Sequence, residues 1–153
     1  MQAARLFAEV SSARERAELK KLARHVDKLA LQADRIRFAI SHQKLHRRIA
    51  DCTRCTPLST TIEQTNALAS IWFCVTRQPS PSDPRRRHQD LLDVLCAGDS
   101  ERAAAAMRDH IACGLKRTME VLEPYFRLRK ASGTTFHRSQ RKQKLLIRVA
   151  KPS

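Results

Sequence analysis

Glycine is scarce in this chain, with three residues among 153, and aromatic side chains make up only 5%. Set against much Ala, Leu, Arg, Lys and Glu, that shortage favours helix throughout and excludes a sizeable sheet. Long apolar runs are missing as well. None approaches the roughly 18 to 20 residues of a membrane span, and the opening MQAARLFAEVSSARER lacks the apolar stretch of a secretory signal. The expectation is therefore a cytoplasmic protein with no membrane association. Regular cysteine spacing is absent: Cys52, Cys55, Cys74, Cys96 and Cys113 fall irregularly, three of them inside helical apolar patterns. That fits buried thiols in a reducing compartment better than a disulfide framework. The Cys52-x-x-Cys55 pair has no second Cys/His pair at short spacing and no βαβ context, so it reads as incidental.

Acidic residues are absent after Phe126, where nine basic residues follow, whereas the chain up to that point carries 21 basic and 15 acidic side chains. Much of the net charge of +15 thus belongs to a tail. The predicted organisation is one helical domain over residues 1–126 and a basic, disordered extension over 127–153. No aromatic side chain is interleaved in RSQRKQKLLIRVAKPS to stack on bases.

What the chain has is helical periodicity. Ala3 to Val10 gives two apolar turns, Ser11 or Ser12 offers a cap, and Leu19, Leu22, Val26 and Leu29 recur at helical spacing. The stripe changes phase near Gln32-Ala33-Asp34, and a helix carrying Ile36, Ile40, Leu45 and Ile49 runs on to about Asp51. Thr56-Pro57 starts the next one, apolar at Ile62, Leu68, Ala69, Ile71, Trp72 and Val75 and expected at the buried centre. The three prolines of Gln78–Pro84 make a loop.

A helical hairpin follows. His88, Leu91, Leu92, Leu95 and Cys96 form one apolar stripe, and Ala103, Ala106, Met107, His110, Ile111 and Gly114 form another. Between them Gly98 suits a left-handed helix end and Asp99 suits the next cap. His88 and His110 stand at similar distances from the turn, roughly 15 Å at 1.5 Å per residue, so their rings can meet across the seam. Pro124 is expected to interrupt the second helix, with Tyr125 and Phe126 closing the core. The fold class is all-α, an antiparallel bundle of about six helices.

A second histidine pair, His42 and His46, lies four residues apart and points one way from its helix. Imidazoles at that spacing can share a metal through bonds of about 2.0 to 2.1 Å.

Together His46-Arg47-Arg48-Ile49-Ala50, the Thr56-Pro57-Leu58 start, His88-Gln89-Asp90-Leu91-Leu92-Asp93-Val94-Leu95, Gly98-Asp99 and Ala103–Ile111 resemble one known domain. It is the C-terminal effector-binding domain (FCD) of the FadR-like branch of GntR-family bacterial transcription regulators. The likeness runs from about Ala3 to Leu122. It implies a helical bundle that forms a homodimer, binds a small carboxylate metabolite and often holds a divalent metal. The family's ligands are an aspartate, a histidine four residues later and two further histidines. By position these fall on His42, His46, His88 and His110, so that His42 replaces the aspartate. Imidazole in place of carboxylate shifts the preference toward zinc or nickel. Arg87 stands where the family commonly has an acidic residue.

The resemblance also implies a winged helix-turn-helix ahead of this domain, which the sequence lacks, so DNA contact is expected only indirectly or non-specifically through the tail. Two other readings stay open: a small basic helical protein that binds nucleic acid, and a metal-dependent hydrolase. Against the hydrolase, Asp51, Asp90, Asp93 and Asp109 are expected on solvent faces, leaving no general base beside the histidines. The chain is not expected to be an enzyme.

Overall fold

The computed structural model describes the backbone of residues 1–76 and 84–149, with side chains except at 68, 70, 72, 73, 75, 76, 125 and 128–149. Among the described residues there are six helices and no strand: α1 (Gln2–Val10), α2 (Ala13–Ala30), α3 (Arg35–Asp51), α4 (Thr56–Thr76), α5 (Arg87–Leu95) and α6 (Ser100–Val149). The expected all-α architecture is what is found. The loop anticipated over Gln78–Pro84 lies almost wholly outside the described residues.

Local chemistry sets the helix starts. Ser12 and Glu15 form a reciprocal capping box at α2: the Ser12 hydroxyl accepts from the Glu15 N–H, and the Glu15 carboxylate accepts from the Ser12 N–H at 2.9 Å. Asp34 caps α3 through the Arg37 N–H. Asp99 caps α6 through the Arg102 N–H at 3.0 Å, directly after Gly98, whose φ of +87° is one a side chain would strain. The hairpin turn thus has the chemistry its sequence announced.

The chain divides into two units, Met1–Thr118 and Met119–Ser153. In the first, α2 packs against α3 and α5, α3 also meets α4 and α1, and α1 reaches α5. Phe7, Leu19, Val26, Leu45, Ile49, Leu92 and Leu95 are fully buried among them. At about 1.5–3 kcal/mol for each such side chain, their burial is the main force joining α1, α2, α3 and α5. In the second unit the described backbone is helical to Val149, and Arg127 pairs with Glu123 one turn away.

Four expectations fail here. Ile36 and Ile40 are 63% and 61% exposed, because the buried stripe of α3 runs through Phe38, Ala39, Leu45 and Ile49 instead. In α4, which packs against α3, Ile71 is exposed and Ile62 and Ala69 are half-buried, while the side chains of Leu68, Trp72 and Val75 lie outside the described residues. Pro124 lies inside α6 without ending it, since a proline costs one backbone hydrogen bond and helix-favouring neighbours carry the turn on. Phe126 is exposed rather than closing a core.

Candidate metal centre

Phe38, His42, Leu45 and Ile49 recur at 4, 3 and 4 residues, so the inner face of α3 carries a histidine in its apolar stripe. His46 follows one turn after His42. His88 opens α5 and is 3% exposed, and His110 lies on α6 one turn beyond the buried Met107. The bundle brings all four rings together. Ring centroids are 4.5 Å apart for His42–His46, 5.1 Å for both His42–His88 and His88–His110, and 5.3 Å for His46–His110. One ligand atom each from His42, His88 and His110 lies within 4.8 Å of the others. His46 is not one of that group of three; its Nε2 lies 3.2 Å from the Nε2 of His42. Phe38 stacks on His42 at 5.4 Å and closes one side with an apolar wall.

Burial in this cluster works against charge on His46 and His110. Burial, with positive charge at His88 and Arg87, lowers the His46 pKa to about 3. Burial again, with His46, His88 and Arg87, lowers that of His110 to about 2. At neutral pH these two imidazoles are therefore uncharged, the state a metal ligand requires. The 3.2 Å between His42 and His46 is close to the edge, about 3.3 Å, of a tetrahedron with bonds of roughly 2.0–2.1 Å. The group within 4.8 Å would close on such an ion with ring movements of about 1 Å. In donor type and spacing, the residues present fit a nitrogen-favouring divalent ion.

Sequence reasoning missed Asp27. It projects from α2, is 3% exposed, and accepts four hydrogen bonds: from the His88 N–H at 3.0 Å, the His88 ring Nδ1 at 2.6 Å, the Gln89 N–H at 3.0 Å and the Gln89 side-chain amide at 3.1 Å. Burial raises its pKa, but the bonds from His88 and Gln89 outweigh that and hold it below the ordinary carboxylate value. A signal was present: Asp27 lies four residues after Ala23 and eight after Leu19, on the buried stripe of α2. Of the four acids considered from sequence, Asp90, Asp93 and Asp109 are exposed and Asp51 is half-buried. Arg87, already singled out in the sequence, donates from Nη2 to the backbone carbonyl of His110 at 3.0 Å.

No group in this set is placed as a general base facing open solvent, and the one buried carboxylate is fully engaged. The arrangement suits holding an ion better than turning over a substrate. A family model described as the FCD domain matches residues 1–112. Neither the curated proteins nor the solved structures include a match.

Proposed function

Since this chain belongs to the FCD domain family, the effector-binding domain of GntR-type regulators and not an enzyme family, we propose that it senses a small organic acid through a metal held by His42, His46, His88 and His110. The observation that carries the reading is the convergence of four imidazoles from three helices, His88 buried and the other three half-buried. Zinc or nickel is the ion we favour, because the donor set is all nitrogen. Its chemistry would be that of a Lewis acid, which with four imidazoles bound would take an effector oxygen by expanding beyond four-coordination. A divalent charge beside neutral rings and Arg87 leaves the site positive overall, even after Asp27 is counted, which supports an anionic effector.

We also read the chain as a homodimer of the FadR-like type. Exposed Ile36, Ile40, Ile111 and Leu115 offer apolar surface for such a contact. No helix among the described residues is long and apolar enough to cross a membrane.

The test is metal analysis of protein purified without a metal-affinity tag, followed by melting with zinc or nickel and with acetate, succinate and citrate as probes. About one ion per chain, lost in His88→Ala or His110→Ala, with a further rise in Tm from a carboxylate, is the expected result. Metal content near zero after zinc loading refutes the reading. Sedimentation checks the dimer.

A further inference from the structure

Asp27 does more than a capping acid needs to do. Helix α5 begins at Arg87 with no cap from its own preceding residue, Arg86. Its first-turn N–H groups at His88 and Gln89 are satisfied instead by a carboxylate from α2, 61 and 62 residues earlier in the chain. For capping alone those two backbone donors suffice. Yet Oδ1 also takes the His88 ring, at the shortest of the four distances, 2.6 Å. An ionised carboxylate only accepts, so the hydrogen between them is on Nδ1 of His88. In the neutral ring the nitrogen without a proton is then Nε2, on the far side from Asp27. The neighbouring rings of His42 and His110 stand within 5.1 Å of His88 and 6.1 Å of each other.

We propose that Asp27 is a positioning residue of the histidine centre: it fixes the tautomer and orientation of His88, and through the same carboxylate it ties the start of α5 to α2. This rests on the metal reading above but makes a separate claim about an unliganded side chain. Its consequence is that the α2–α5 contact and the readiness of His88 to ligate are one property. A carboxylate behind a ligating imidazole also raises the basicity of the ring, and loss of such a partner typically weakens metal binding about 10- to 100-fold.

The experiment has two arms. In metal-free protein, imidazole nitrogen–proton correlation spectra report the tautomer of each histidine, and His88 of the parent chain should show Nδ1–H alone. In Asp27→Ala it should populate both tautomers. Zinc affinity, measured by competition with a chelator, should fall about 10- to 100-fold in the same variant. Leu95→Ala, which truncates a fully buried side chain of α5 two turns from His88, lowers stability without touching the carboxylate and should keep both the tautomer and the affinity. If the alanine variant does not fold, Asp27→Asn keeps the shape but offers one acceptor oxygen to four donors. Both changes are expected there as well, with affinity down about tenfold. His88 remaining wholly Nδ1–H without the carboxylate overturns the proposal. So does an equal loss of zinc affinity in Leu95→Ala. A parent chain that takes no zinc refutes the metal reading alone, because the tautomer arm is read without metal.

Discussion

Where α2 begins, Glu15 takes a bidentate pair of hydrogen bonds from Arg54 at 2.8 and 3.1 Å together with those of Ser12, and Arg48 grips Glu18 by two bonds of 3.0 Å. Where α3, α5 and α6 meet, four imidazoles gather, and among the described residues one carboxylate, Asp27, is bonded to them. Both places collect titratable groups from distant parts of the chain, and they treat charge oppositely. The corner keeps its charges and pairs them: bonds from Arg54, then from the Ser12 backbone and hydroxyl, lower the Glu15 pKa to about 2. In the histidine centre burial works against charge, and His46 and His110 stay neutral. A paired surface network contributes little to stability, whereas a desolvated cluster is sensitive to any change in its partners. The first ties helices together; the second is fitted to receive something.

The largest effect should come from Asp27→Ala. It strands two backbone N–H groups and an imidazole in the interior, at about 1–3 kcal/mol for each unsatisfied group. A loss of roughly 3–5 kcal/mol in urea unfolding is expected, and a loss below about 1 kcal/mol would mean these groups find other partners.

The pH profiles of the two places come next. In metal-free protein the unfolded chain takes up protons on His46 and His110 below pH 6.5, while the folded chain does so only near the values of about 3 and 2. Their contribution is fully present above pH 6.5 and is lost as the pH falls toward 3, with a slope of up to about 1.4 kcal/mol per pH unit for each ring. The double variant His46→Ala, His110→Ala should flatten the stability curve between pH 6.5 and 4.5. Glu15 acts in a lower window: its contribution is present above 4.5 and lost as the pH falls toward about 2. Solvent screening limits it to about 1 kcal/mol or less. A parent curve flat from pH 7 to 5 would erase the contrast.

Ser12→Ala removes the capping box and should cost about 1 kcal/mol by thermal melting, without altering zinc affinity. The smallest effect is at Arg54, whose φ of 61° is left-handed. Arg54→Gly and Arg54→Ala both lose the bonds to Glu15, but only glycine relieves the backbone, so the glycine variant should melt higher. Equal melting temperatures would show that the backbone there carries no strain.

The hairpin was readable because its signals are local: Gly98, Asp99 and two stripes lie within some thirty residues, and α5 and the start of α6 follow them closely. The histidines could be gathered from sequence because a pair four apart and a pair across a turn are each geometrically constrained. The phase of α3 was misread for a physical reason. Its buried stripe contains His42 where an aliphatic residue would have marked it, so Ile36 and Ile40 drew the reading to the exposed side. Ile71 of α4 is exposed because apolar content does not say which side of a helix finds a partner. Asp27 was invisible to motif spacing, since its four donors lie 61 and 62 residues away. Only its place in the stripe of α2 could have betrayed it.

The four histidines differ in how much chain must be ordered before each is in place. His42 and His46 face the same way as soon as α3 has made two turns, an event on the microsecond scale or faster for a helix. His88 and His110 reach them only after closures of some 40 to 70 residues, and each doubling of loop length adds only about 0.6 kcal/mol of entropy cost. A metal available during synthesis would therefore meet a two-ligand half-site before the pocket exists. To the extent that it binds this early partner, the stabilisation it gives the finished fold is reduced, because ligand held by the unfolded chain counts against it.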